Sequence, residues 1–170
     1  MNKLIQSETF SCIKDFVKRI KAHNRFIVLI LLLIASGIRT ELFSATITSA
    51  GSGNWNSTTN NAPWPGGVVP ATTDLVVIAI GNNVTVTVAA TCAGVTVNSL
   101  GILTINQSIT LTVNGDINGA GQLAGQALTP YGFISTTGNF NFTGSYNALG
   151  RISLTFNGNG DQTINSSAAV

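Results

Sequence analysis

The chain has 170 residues, of which 44% are hydrophobic and only 8% are charged. Seven of the eight basic residues and three of the six acids precede position 46, so this first segment carries 7 − 3 = +4. Residues 46–170 hold one arginine and three aspartates, 1 − 3 = −2. Because binding of nucleic acid requires clustered lysines and arginines against the phosphates, nucleic acid is not an expected partner.

An apolar run of 13 residues, Phe26–Ile38, follows a basic stretch and precedes small residues. This layout predicts a secretory signal over residues 1–45, cleaved after Gly37 or after Ala45. The alternative is an uncleaved membrane anchor, but the run is shorter than the ~20 apolar residues that usually span a bilayer. The expected location is therefore extracellular or at the cell surface, with the export signal as the only contact with a membrane.

The remaining sequence divides into a cover segment, residues 46–73, and a series of short strand-like segments, residues 74–170. The cover segment is rich in Trp, Gly and Pro. The continuous apolar run Asp74–Ile80 predicts a strand that is buried on both faces. Residues Val84–Val88 alternate between Val and Thr, which predicts a strand with one buried and one solvated face.

A short repeat follows, in which two aliphatic residues flank a Thr and an Asn ends the unit. Val95, Leu103 and Leu111 begin three such units, eight residues apart. Units of this size cannot bury an apolar face alone, so they are expected to stack as a solenoid. Three units per coil predict a right-handed parallel β-helix with about 24 residues in each coil.

The alternative fold is an antiparallel β-sandwich. Asn114-Gly115 after an alternating strand is a typical hairpin turn, and strands every 8 to 12 residues also suit a sandwich. The other corners of the repeat are not two-residue hairpin turns. This difference favours the solenoid.

The order of several short motifs resembles a known group of proteins. Trp64-Pro-Gly-Gly-Val-Val-Pro70 is followed by Asp74-Leu-Val-Val-Ile78 and Gly81-Asn-Asn-Val-Thr-Val-Thr-Val88, with Asn54-Trp55-Asn56 before them and Gly158-Asn-Gly-Asp-Gln-Thr-Ile164 near the end. Over residues 46–165 the chain resembles the opening of parallel β-helix, adhesin-like surface proteins of Gram-negative bacteria. It is also similar to the eight-glycine all-β domain of fibrocystin-type and hyaluronan-processing extracellular proteins.

These motifs are architectural, so the resemblance implies a fold and a location rather than a reaction. Proteins of this kind usually continue through many more coils to a sorting domain. The sequence ends at Val170 without a polar capping element. We therefore expect the chain to be the N-terminal piece of a longer protein, or a truncated reading frame, with further coils as its partner.

Residues that could perform acid–base chemistry are scarce after the signal. The only histidine, His23, lies within the signal, and no lysine follows Lys21. Arg151 is expected to be a surface charge, and Cys92 a small buried residue without a disulfide partner. No catalytic residue, metal site or cofactor is predicted, because these sites need clustered titratable or metal-ligating groups.

The two tryptophans are the candidate ligand-binding residues. Trp55 and Trp64 could form a flat surface on which sugar rings stack. The alternative is that both rings plug the open end of the solenoid, since they lie just before the first strong strand. Their position in the chain favours the plug.

The sequence therefore predicts a non-catalytic extracellular scaffold or adhesin-like module that contacts glycans or other cell-surface polymers. The alternative is the non-catalytic front part of a β-helical polysaccharide-degrading enzyme whose site lies beyond residue 170. Later coils with clustered Asp, His, Lys and Arg would favour the enzyme.

Overall fold

The computed structural model describes residues 44–126, 129–146 and 151–167. The predicted export signal lies almost entirely outside these residues. The described part contains fifteen short β-strands and a single 3-10 turn, Pro65–Gly67. The strands are β1 (Thr46–Thr48), β2 (Gly53–Asn54), β3 (Leu75–Ile78), β4 (Asn83–Val86), β5 (Ala90–Cys92), β6 (Gly94–Val97), β7 (Ile102–Ile105), β8 (Thr110–Val113), β9 (Ile117–Gly119), β10 (Gln122–Gly125), β11 (Gly132–Thr136), β12 (Phe140–Phe142), β13 (Ser145–Tyr146), β14 (Ile152–Phe156) and β15 (Ile164–Ser166).

The strands form three parallel sheets that the chain visits in turn. Sheet A has the order β1-β3-β6-β9-β12-β15, sheet B the order β13-β10-β7-β4-β2, and sheet C the order β14-β11-β8-β5. Each strand pairs with the strand about one circuit later, so the chain winds around a common axis. This topology confirms the parallel β-helix, while its right-handedness stays a prediction. The antiparallel sandwich is wrong for the described residues, and Asn114-Gly115 forms a corner between β8 and β9.

The eight-residue repeat places one strand on each wall of the tube. Val95, Leu103 and Leu111 lie on β6, β7 and β8, in sheets A, B and C, and they are 2%, 0% and 0% exposed. The central Thr of each strand faces outward and is only half-buried. Burial of one such aliphatic side chain contributes roughly 1.5–3 kcal/mol, so the stacked walls are the main source of stability.

The length of a coil varies around the predicted value of about 24 residues. The paired residues Thr46 and Leu75 are 29 positions apart, Leu75 and Gly94 are 19 apart, and Phe140 and Ile164 are 24 apart. The strands have two to five residues throughout. The extra residues of the longer coils therefore lie in the corners.

The prediction that Asp74–Ile80 is buried on both faces is wrong. Within β3 only Val76 and Ile78 are buried, while Leu75 is 46% exposed and Val77 is half-buried. The reason is that every wall of a single-layer tube has one face toward the lumen and one toward solvent. In β4, Val84 and Val86 are buried as predicted, but the strand ends at Val86, and Val88, which the alternation placed on the same buried face, is 45% exposed.

Candidate functional site

The two tryptophans are buried in the first part of the tube. Trp55 is 2% and Trp64 0% exposed, and their ring centroids lie 5.2 Å apart in an edge-to-face arrangement. The indole Nε1 of Trp64 donates a hydrogen bond to the backbone oxygen of Trp55. A sugar can stack only on an aromatic face that solvent reaches, so this burial opposes the ligand-binding prediction for Trp55 and Trp64. It agrees with the alternative of a plug.

The loop that carries these rings, here called the aromatic cover (residues 49–73), is fixed by backbone hydrogen bonds. The amide of Ala50 donates to Pro63, at 2.7 Å, and the amide of Trp55 donates to Thr85 of the next coil, also at 2.7 Å. Gly67 has φ +68°, and an added Cβ would lie 2.1 Å from the backbone oxygen of Thr58. A glycine is therefore required where this turn meets the rest of the cover.

The outer face of sheet A carries a row of polar side chains, here called the Asn row. Strand register places Thr96, Asn118, Asn141 and Asn165 side by side on β6, β9, β12 and β15. Neighbouring strands lie about 4.8 Å apart, so the row is a regular polar ladder. The amide Nδ2 of Asn141 donates to Oδ1 of Asn118 at 3.3 Å, which orients both side chains.

A shallow groove of about 270 Å³ opens beside the Asn row on sheet A. Leu75, which is 46% exposed, contributes an apolar surface, and Thr96, Asn118 and Asp116 contribute polar groups. Oδ1 of Asp116 accepts a hydrogen bond from the amide of Asn139 at 2.7 Å, so this carboxylate has a fixed position. The groove combines an apolar patch with amide, hydroxyl and carboxylate groups. These are the groups that contact the C–H face and the hydroxyls of a sugar ring.

The outer face of sheet C carries a different ladder, the hydroxyl row. Thr91, Thr112, Ser135 and Thr155 are register partners on β5, β8, β11 and β14. All four are at least partly exposed to solvent. The row offers hydroxyl groups without the amides and the carboxylate found beside sheet A, and the ring of Phe133, which is 36% exposed, lies next to it on the same face.

Two titratable groups of the described residues, Asp74 and Cys92, are buried and are held in place by the fold. Asp74 is 8% exposed, and its two carboxylate oxygens accept hydrogen bonds from the amides of Ala45 and Ala71 at 3.0 and 2.7 Å. The carboxylate of Asp74 therefore holds together the turn before β3 and the start of β1. Cys92 is buried and free, as predicted, and burial raises the pKa of its thiol to about 12. Such a thiol is protonated at neutral pH and is a poor nucleophile.

No group of three or more His, Cys, Asp and Glu side chains that could hold a metal ion occurs within residues 44–126, 129–146 and 151–167. In the same residues, no helix has the length and apolar character needed to cross a membrane. Sequence reasoning missed the Asn row and its groove. The signal was present, because Asn118, Asn141 and Asn165 are spaced by 23 and 24 residues, which is the length of one later coil.

No protein-family model, curated protein or solved structure matches this chain.

Proposed function

We propose that the chain is a non-catalytic, extracellular structural module of the adhesin type that contacts neutral glycans through the Asn row and the groove beside it. The observation that supports the proposal is the register of Asn118, Asn141 and Asn165 along the tube. Solenoids of this kind provide extended binding surfaces, since identical positions of successive coils repeat along the axis. A polymer with repeating hydroxyls suits such a row.

The charge of the chain favours a neutral glycan. Residues 46–170 carry three aspartates and one arginine, so a polyanionic polymer would be repelled rather than attracted. An asparagine amide supplies two donors and one acceptor group and can therefore pair with hydroxyls in either sense. Asp116 adds a fixed acceptor at the end of the groove.

The glycan-binding part of the proposal is tested on an array of neutral and anionic oligosaccharides, with protein purified from cells that express the full chain. We expect binding to neutral glycans and about a tenfold loss in the double variant Asn118→Ala/Asn141→Ala, since each hydrogen bond contributes roughly 0.5–1.5 kcal/mol. The matched control is Thr112→Ala/Ser135→Ala, which shortens two side chains on the face of sheet C. Equal losses in both variants, or no binding by the unaltered protein, would refute glycan contact by sheet A.

The location is tested separately by treating intact cells and culture medium with protease. An extracellular module is degraded on intact cells or recovered from the medium. Recovery of the full-length chain from the cytosol alone would refute the location. Release of reducing ends from a bound glycan would refute the non-catalytic part of the proposal and would favour the polysaccharide-degrading alternative.

A further inference from the structure

Gly94 shapes the groove beside the Asn row. It lies on the outer face of β6, where strand register places it next to Leu75 of β3. An added Cβ at Gly94 would lie 2.9 Å from Cδ2 of Leu75 and 3.4 Å from the backbone oxygen of Asp116. The missing side chain therefore leaves room for Leu75 to lie along the floor of the groove. In this position the leucine presents an apolar surface to solvent across two strands.

The groove has described strands on both sides along the axis. In sheet A, β1 precedes β3, and β9 and β12 follow β6. Asp116, directly before β9, accepts the amide of Asn139 with Oδ1, and no described residue donates to its Oδ2. This second oxygen is therefore available to a hydroxyl group. Thr96 and Asn118, which are both half-buried, line the groove beside it.

The Asn row and the groove follow a straight line along the axis of the tube. Register places Thr96, Asn118 and Asn141 on successive strands, and neighbouring strands lie about 4.8 Å apart. One unit of an extended β-1,4-linked glucan is similar in length to this spacing, so successive units can follow successive strands. The ring hydroxyls of such a unit are all equatorial, and its flat faces therefore present C–H groups that suit the apolar surface of Leu75. Glucans with α-1,4 or β-1,3 linkages curve into helices and leave a straight row after a few units.

We propose that the Asn row and the groove bind a linear β-1,4-linked glucan that runs along the tube axis, with one ring on Leu75 and edge hydroxyls on Asn118 and Asn141. Successive units of this chain are turned over, so one edge presents secondary and primary hydroxyls alternately. An asparagine amide both donates and accepts and can therefore pair with either kind. The inference rests on the glycan contact proposed above and specifies the linkage and the direction of the glycan.

The test is isothermal titration calorimetry of the protein, purified after expression of the full chain, with cellopentaose, laminaripentaose and maltopentaose. These glucose pentamers have β-1,4, β-1,3 and α-1,4 linkages and so differ in shape but not in composition. We expect cellopentaose to bind about tenfold more tightly than the other two, as the loss of one or two hydrogen bonds predicts. Affinity should also rise from cellobiose to cellotetraose, since each added unit reaches another strand.

Two results would overturn the proposal and differ in what they mean for glycan contact. Equal affinity for the three pentamers, lost in Asn118→Ala/Asn141→Ala, would refute the linear ligand and leave the glycan contact standing. Absence of binding by all three pentamers would also refute it, and the glycan contact would then stand only if another neutral glycan binds on the array.

The apolar contact is tested by Leu75→Ala, which removes the surface for the ring. We expect cellopentaose affinity to fall about fivefold, because the contact loses three carbon atoms of a partly exposed side chain. The matched control is Leu100→Ala, which shortens a leucine that is 76% exposed and lies outside the groove. Equal affinity in the two variants would refute the contact between the ring and Leu75.

The shape of the groove is tested by Gly94→Ala. Gly94 lies within β6, and the added Cβ meets the flexible end of Leu75, so the fold should be retained. We expect the displaced leucine to fill part of the groove and to weaken cellopentaose binding about threefold. The matched control is Ser135→Thr, which adds one methyl group on the outer face of sheet C. Unchanged affinity in Gly94→Ala, with circular dichroism showing a folded protein, would refute a ring seated above Gly94.

Discussion

The two ends of the tube are built from the same kind of strand but are packed differently. At the start, Trp55 and Trp64 are buried and the aromatic cover bonds to the first full coil. At the far end, all of β15 is exposed and the residues of β14 are at most partly buried. The contrast shows that stacked aliphatic side chains form the walls of the tube, whereas the lumen at its start is covered by two bulky rings whose backbone is also hydrogen-bonded.

The largest expected effect of this difference in packing is on the local stability of successive coils. We expect the amides of Ile102–Ile105, in the middle of sheet B, to exchange with solvent only through global unfolding, which costs about 5–15 kcal/mol for a domain. The amides of Ile164–Ser166 should exchange with little protection, because this strand has one neighbour and no buried side chain. Hydrogen exchange followed by mass spectrometry of peptides measures both. Equal protection of the amides from β3 to β15 would contradict the expected difference in local stability between the early coils and the last described one.

The next largest effect is expected from shortening a buried side chain of the aromatic cover. Trp64→Ala removes a ring that is 0% exposed and leaves the Trp55 oxygen without its indole donor. Replacement of a buried Trp by Ala costs about 3–5 kcal/mol, so the free energy of unfolding should fall by this amount. Urea denaturation followed by circular dichroism measures the change.

The control for that variant is Phe156→Ala in the last described coil. Phe156 packs edge-to-face on Phe140, with ring centroids 6.4 Å apart, but is only partly buried. We expect a loss of about 1–2 kcal/mol, because much of its surface already contacts water. Equal losses for Trp64→Ala and Phe156→Ala would contradict the idea that the aromatic cover is better packed than the last described coil.

The buried thiol of Cys92 provides a pH test of the packed region. Its pKa is about 12 in the folded state, against about 8.5 in an unfolded chain, so above pH 8.5 the unfolded state loses the proton first. Stability should therefore fall as pH rises toward 12, by at most about 1.4 kcal/mol per pH unit from this group. Cys92→Ala should lack this component, and urea denaturation at pH 8, 9 and 10 measures the difference. Identical pH dependence in both proteins would show that the thiol is not closed off from water.

The repeat of Val95, Leu103 and Leu111 favoured the three-walled tube over the sandwich, because each step of eight residues supplies one strand and one corner. The burial of Trp55 and Trp64 could be determined only from the structure, since sequence spacing does not reveal whether a ring faces the lumen or solvent. The Asn row depends on register between coils, and register depends on corner lengths that vary from coil to coil.

A corner between two packed coils holds a residue in a strained backbone conformation. Leu100 lies in the corner between β6 and β7 and has φ +62°. Its side chain is 76% exposed, so it makes little contact that would stabilise this conformation. The left-handed conformation costs a non-glycine residue about 1–2 kcal/mol, and the packed coils on both sides maintain it. Leu100→Gly should relieve this strain and, after the entropy that glycine adds to the unfolded chain, raise the free energy of unfolding by about 0.5–1 kcal/mol. Leu100→Ala retains the strain and should change stability little. Urea denaturation measures the free energy of unfolding of the two variants. Equal values for Leu100→Gly and Leu100→Ala would show that the backbone of this corner is not strained.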